Sequence, residues 1–281
     1  EVTYSLHPGK EHGIVLEDIP ETDIVIVPDA GTNDLEQVNE LVGRGKKVLI
    51  IDHHIQERKN PENANFVILN NQISPNFPNK YLSGAGMVNI FLRAVEKYFH
   101  YTSYSVKMRD LAAVGIIADA MNMTSLGNNF MAFHGLANIN NKFLQALAAK
   151  QAHGIKDPAH LTKIDVAFYI APVINGVIRS GTALDKEMVF RAMWDQDDVS
   201  KFSSIWRGIE RLEDLYNYAA RLAVNAKNRQ DAAKKKSFEW LCEDIRAKEE
   251  DKYNLLIAKI DTKDADKINP NITGLIAMEL V

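Results

Sequence analysis

Two short β-branched runs that each stop at a carboxylate limit what this chain can fold into. The first is "DIVIVPDAG" (23–31) and the second "KKVLIIDHH" (46–54). Between them "NDLEQVNELVGRG" (33–45) has apolar residues at helical spacing and then a glycine stop. Strand, helix, strand is a βαβ unit, and "NFVILNN" (65–71) adds a further strand. The segments "SGAGMVNIFLRAVEKYF" (83–99), "KMRDLAAVGIIADAMNM" (107–123), "NNFMAFHGLANINNKFLQALAAK" (128–150) and "KIDVAFYIAPVINGVIRSG" (163–181) read mostly as helices. The predicted class is α/β, a parallel sheet followed by a helical half.

From about Ser204 to Lys252 the chain has no proline, no glycine after Gly208, and charges of both signs throughout. That pattern predicts one or two long, solvated linking helices. "YNLLIAKI" (253–260) then reads as the first strand of a second α/β domain, left unfinished. The expected organisation is a first domain over 1–203, a linker helix over 204–252 and the start of a second domain over 253–281. Both ends lack capping signals, so the chain reads as a fragment.

Composition narrows the functional classes. With 281 residues and 46% hydrophobic content the chain can bury a real core. A net charge of −4 excludes a broad cationic field, so nucleic-acid contact would need a local groove. A lone cysteine, Cys242, cannot form an internal disulfide, and no apolar run would span a bilayer or act as a secretory signal. A cytoplasmic, membrane-free protein is expected.

In open α/β sheets ligands bind beyond the carboxyl ends of parallel strands. Asp29 closes the first strand, and Asp52, His53 and His54 close the second, so neighbouring strands would bring them to one edge. A third carboxylate, Asp119, interrupts the apolar face of "LAAVGIIADAMNM". A charge there needs a partner, and a metal ion serves several carboxylates at once. Carboxylates with one imidazole suit Mn²⁺ or Mg²⁺ better than Zn²⁺.

At these residues the chain resembles the DHH phosphoesterase superfamily and, within it, the RecJ-like single-strand-specific exonucleases. The resemblance runs in family order through "VPDAGTND", "IIDHH", "NNQISPNFPNKYLSGAGMV", "AAVGIIADAM" and "IAPVINGVIR". It implies a DHH domain over 1–203 and, from 253 onward, the opening of a substrate-binding domain. By the same resemblance Asp29 is the bridging metal ligand and also catalytic, His53 the imidazole ligand and Asp119 a third ligand. Asp52 stands behind them in support, and His54 is a catalytic group facing the scissile phosphate. Asn175 and Arg179 would contact substrate phosphate, with Ser83, Gly84 and Gly86 forming the turn into a helix N-terminus at the site. The family's first motif, an Asp-x-Asp pair, has no counterpart within 1–23, and Val173 stands where the family has arginine. A two-metal site is therefore expected only in a complete protein, and this fragment is expected to be inactive or nearly so.

Each signal also has a plainer reading. Asp29 could cap the helix that starts near Asn33, and the two histidines could be an exposed loop pair. Asp119 could sit on the surface in a slightly different register, and Arg179 could be a helix C-terminal cation beside Gly181. His7, His12, His100, His134, His153 and His160 have no partners at ligand spacing. Lys234, Lys235 and Lys236 read as a solvated helix face with some potential to track a nucleic-acid backbone.

The resulting expectation is a metal-dependent phosphodiesterase, an exonuclease on single-stranded DNA that releases mononucleotides from the 5′ end. Single-stranded DNA and repair or replication proteins are the expected partners. The alternatives are a relative that cleaves short oligonucleotides, a nucleoside bisphosphate or pyrophosphate, and a catalytically silent scaffold.

Overall fold

The computed structural model describes residues 2–6, 13–58, 65–101, 103–206, 209–248 and 257–280. Three strands, β1 (Ile24–Pro28), β2 (Lys47–Asp52) and β3 (Phe66–Asn70), form a parallel sheet in the order β1-β2-β3. Val25 lies opposite Val48, and Val48 opposite Phe66. Helix α1 (Leu35–Gly43) crosses from β1 to β2 and buries Val38 and Leu41 against Val25, Val48, Ile50 and Phe66. The opposite face carries Ile51, which packs on Leu82, on Met87 of α2 (Gly84–Phe99) and on Ile116 of α4 (Arg109–Ala118). Between α2 and α4 lies the single turn α3 (Tyr104–Lys107). The period-two alternation of β2 thus chooses which helix covers which face.

The helical half is a larger core. It contains α5 (Leu126–Leu136), α6 (Lys142–Lys150), the single turn α7 (Lys163–Asp165), a π-helical turn Val166–Ile170, α8 (Ala171–Ser180) and α9 (Ala183–Trp194). Phe143, Leu144, Leu147 and Ile170 are fully enclosed there. A hairpin of β4 (Lys201–Trp206) and β5 (Ile209–Asp214) leads into the long helix α10 (Leu215–Ala247).

Five readings from the sequence change. The helix expected over 107–123 stops at Ala118, because Ala120 takes a left-handed conformation (φ 51°) and closes a Schellman turn. There Ala120 N–H donates to the Ile117 carbonyl at 3.0 Å and Met121 N–H to Ile116 at 3.1 Å. The segment 128–150 splits into two helices because Asn141 caps α6, its side chain accepting from Leu144 N–H, and the buried Asp110 accepts from the Asn140 and Asn141 amides.

The helix expected from Ser204 begins only at Leu215, where the Asp214 carboxylate caps it by accepting from Asn217 N–H at 2.8 Å. Before it the strand pairing of residues 201–206 with 209–214 wins. Nor is all of α10 solvated. Ala219, Ala220, Ala223 and Ala226 are buried in the helical core, small enough for α8 to approach until a Cβ on Gly176 would lie 3.1 Å from the Lys227 Cα. The strand expected at "YNLLIAKI" lies partly outside the described residues, and 257–260 form no strand. The second half of α10 instead packs Leu241 and Ile245 on Ile268, Ile272 and Ile276, a separate small core beside α11 (Thr273–Ala277). Among the described residues no helix is long and apolar enough to cross a membrane.

Helices α4 and α5 touch backbone to side chain at Gly135, where a Cβ would lie 2.5 Å from the Arg109 carbonyl oxygen and 2.8 Å from the Ala113 Cβ. Gly135→Ala should therefore destabilise the fold by about 1–3 kcal/mol of overpacking, despite alanine's helix propensity. Urea unfolding measures this, and an unchanged or raised midpoint would mean that the two helices do not cross this closely.

Candidate metal centre

The carboxyl ends of β1 and β2 meet as parallel neighbours should. Pro28 pairs with Ile51, and the Asp29 amide donates to the Ile51 carbonyl at 2.8 Å. Asp29 then turns with φ 62°, a left-handed conformation that aspartate tolerates better than most residues. Its carboxylate lies over the first residue of α2, so close that a Cβ on Gly84 would sit 2.0 Å from Asp29 Oδ1. Asp29 does not cap α1. That helix begins after Asp34, whose carboxylate accepts from the Ile14 amide at 2.9 Å.

His53 Nε2 lies 3.2 Å from Asp29 Oδ1 and 3.4 Å from Asp119 Oδ2, with its side chain only 12% exposed. Asp119 occupies the C-cap position of α4, so the Schellman turn aims it at the sheet edge. Each of the two carboxylate oxygens lies from the imidazole nitrogen at about the separation of adjacent corners of an octahedron. Ligand bonds of about 2.1 Å put neighbouring donors roughly 3 Å apart, so these three residues could hold a divalent cation.

A grouping by distance alone puts ligand atoms of Asp29, Asp52, His53 and His54 within 4.8 Å of one another. Asp52 is the least available of these as a ligand, because its oxygens are already committed. Asp52 is 1% exposed. Its Oδ1 accepts from the His53 amide at 2.7 Å and lies 2.7 Å from His54 Nδ1, and its Oδ2 accepts from the Thr32 amide at 3.1 Å. Burial pushes this carboxyl upward, but the bonds from Thr32, His54 and His53 outweigh burial and hold it below the usual range.

Sequence reasoning missed Thr32 and Asn70. The Asn70 amide donates to Thr32 Oγ1 at 2.9 Å and to the His54 carbonyl at 2.8 Å, so a buried network ties the ends of all three strands together. The strand-end rule that found Asp29 and Asp52 also picks out Asn70, which closes β3; only its neutral side chain kept it from notice.

A cavity of about 580 Å³ opens beside this cluster. Asp29, Ser83, Asp119, Asn175 and Arg179 all line it. Asn175 and Arg179 are four residues apart on α8 and share a face. Ser83 also caps α2, its hydroxyl accepting from Gly86 N–H at 3.3 Å, and Gly84 lies beneath Asp29 rather than in the cavity wall. His54 is half-exposed, tied to Asp52, and is not among the cavity-lining residues.

Without added metal, the hydrogen bond to Asp29 raises the His53 pKa, burial opposes it, and the charges of Asp29, Asp119 and Asp52 add to the rise. A folded value above the unfolded one of about 6.5 means that the pairing stabilises the fold below about pH 6.5, and that this is lost as pH climbs through the raised value. An NMR titration of the His53 ring should give an elevated midpoint that falls in Asp29→Asn; a normal midpoint in the unsubstituted chain would place the two groups apart.

Comparison with known proteins agrees with this geometry. The DHH family, N-terminal domain, matches residues 3–116. The chain is 30% identical over 280 residues to YorK of Bacillus subtilis (strain 168), a protein that bears the name of a prophage-derived single-strand DNA-specific exonuclease; the match covers 99% of this chain and 47% of YorK. It is 28% identical over 206 residues to the single-stranded-DNA-specific exonuclease RecJ of Thermus thermophilus, covering 72% of this chain and 29% of that one. The chain thus spans about half the length of YorK and less of RecJ. A crystal structure of the Thermus RecJ in complex with Mn²⁺ superposes with a TM-score of 0.68 at 23% identity, covering 94% of this chain and 35% of that one. With a parallel sheet whose second strand ends in "DHH", a family match over residues 3–116 and 30% identity to YorK along 99% of its length, this chain is a RecJ-like member of the DHH superfamily.

Proposed function

We propose that the chain forms the core of a divalent-metal-dependent phosphodiester hydrolase, an exonuclease on single-stranded DNA that releases mononucleotides from the 5′ end. The observation that carries this reading is that Asp29 and Asp119, both beside the His53 imidazole, line a cavity that Asn175 and Arg179 also line. The names of YorK and the Thermus RecJ support a single-stranded substrate, and the Mn²⁺ and Mg²⁺ complexes of RecJ support Mn²⁺ or Mg²⁺ as the cofactor.

When bound, a divalent ion would supply an activated water and neutralise charge on the phosphate. The chain's own residues do the rest. Asp29, His53 and Asp119 supply the donors, and Gly84 leaves room for the Asp29 carboxylate. The Arg179 guanidinium offers a planar fork to phosphate oxygens, with the Asn175 amide one turn away. Asp52 orients His54, which stabilises charge on the reacting phosphate. Beyond the polar end the cavity wall becomes apolar, with Ile174, Ile178, Phe190, Met193 and Trp194. Such a wall suits a sugar and base and has nothing to offer pyrophosphate, so the nucleotide reading is favoured. In the same proposal residues 1–203 form the DHH domain, α10 links it onward, and residues 253–281 begin a substrate-binding domain.

Mn²⁺-dependent release of nucleotides from labelled single strands by the full-length protein, abolished in Asp119→Asn, tests the reading. A full-length protein that binds its partners yet releases nothing would leave the scaffold alternative.

Two further outcomes follow from the geometry. Gly84→Ala should push Asp29 aside and weaken Mn²⁺ binding by about 10–100-fold in calorimetry. Unchanged affinity would remove Asp29 from the ligand set. Arg179→Ala should lower kcat by something like 10²-fold, or ~2.7 kcal/mol, with KM changed less, and Arg179→Lys should recover only part. Normal turnover with a stability loss of about 0.3–1 kcal/mol would instead make Arg179 a helix-end cation.

A further inference from the structure

We propose that a surface of exposed aromatic rings and cations, spread over the end of α2, α3, the start of α4 and α5, is a track that leads a single nucleic-acid strand to the cavity. The inference rests on the proposed function and adds a binding surface to it.

Large aromatic side chains stand in water along this face. Tyr98 is 77% exposed and Phe133 67%, and Phe99, Tyr104 and Phe130 are each more than half exposed. Scattered exposed apolar residues are ordinary, but a run of rings on adjoining elements marks a binding surface. The rings are interleaved with cations. Lys107 Nζ lies 5.3 Å from the Tyr104 ring centre, and the Arg109 guanidinium 5.5 Å from that of Phe130. Rings that stack bases and cations that meet phosphates are the two parts of a sequence-tolerant single-strand site.

Charge is distributed to match. The whole chain carries −4, yet from Arg93 to Leu136, the elements that form this face, four lysines and arginines stand against three carboxylates. None of the three faces this surface freely: Glu96 is buried and accepts from Ser105, Asp110 is 1% exposed and holds the start of α6, and Asp119 lies beside His53. A polyanion meets little repulsion here despite the chain's net negative charge.

The track also has a destination. Met108, between the two cations, lines the cavity that contains Asp29, Asp119 and Arg179. A strand lying on Tyr104 and Phe130 therefore reaches the site at Met108 without crossing acidic surface.

The test compares strand lengths, using fluorescently labelled thirty-nucleotide single strands and trinucleotides with the full-length protein. The doubly substituted Tyr104→Ala/Phe130→Ala protein should bind the long strand roughly tenfold or more weakly, since stacking on each base contributes about 1–3 kcal/mol. Trinucleotide hydrolysis should stay unchanged, because so short a strand occupies only the cavity. The Lys107→Gln/Arg109→Gln pair should reduce the slope of log K against log salt by about 1.4, the contribution of two phosphate contacts on a single strand.

Equal losses on long and short substrates, or no loss on either, would overturn the track while leaving the nuclease reading intact. An unsubstituted protein that neither binds nor cleaves any single strand would overturn both. If sedimentation shows that the unsubstituted protein self-associates and the aromatic substitutions make it monomeric, the face is an interface between copies and the proposal falls. Because Tyr104, Lys107 and Phe130 are exposed and Arg109 is only partly buried, circular dichroism should show both variants folded.

Discussion

The buried carboxylate of Asp52 is the interaction on which the site depends. A charge taken out of water at the end of a strand is costly unless each lone pair is met. Here the donors are the backbone of the next two residues, the backbone of the neighbouring β1 turn at Thr32, and the ring of His54. Because one group satisfies donors from two strands, the loop after β2 and the loop after β1 cannot move independently. Asn70 extends the constraint to β3 through Thr32 and the His54 carbonyl. Asp52 fixes the backbone of His53, whose ring then points toward Asp29 and Asp119.

The second constraint is how closely α2 and α4 approach the sheet edge. Gly84 leaves space for the Asp29 carboxylate, and Gly115 lets α4 close on α2 until a Cβ there would lie 2.5 Å from that of Ala85. Only then does the end of α4 come within reach of His53. The last step is local strain: Ala120 adopts a left-handed conformation that costs about 1–2 kcal/mol for a residue with a Cβ, and Asp119, just before it, leaves the helix beside His53.

The helical half acts at longer range. Asp110 accepts the amides that begin α6, and Asn141 of the same turn donates to the Met193 carbonyl at 2.7 Å near the end of α9. The alanine stripe of α10 holds α8 in place from behind, so that Asn175 and Arg179 form one wall of the cavity and α9 the other. A polar end near the sheet and an apolar end near Trp194 result from which turn of each helix reaches the gap.

Much of this is legible in the chain. Period-two runs ending in Asp29 and Asp52, with a helix between them, determine the parallel βαβ unit and its ligand-bearing edge, because strand and helix periodicities are local properties. The order of "DHH" and its companion segments determines the family. Other features are decided only by the fold. Nothing local to "FHGLANINNKF" or "KFSSIWRGIERLED" says that Asp110 will capture the asparagine amides or that two strands will pair, so both stretches read as uninterrupted helix. Solvated and buried alanines look alike in sequence, so the first half of α10 reads as exposed until α8 is seen to cover it. Thr32 and Asn70, neutral and ordinary as residues, gain their roles from a carboxylate 20 and 18 positions away. The site's chemistry is written in side-chain identity; its geometry comes from contacts between segments distant in the chain, which no local pattern encodes.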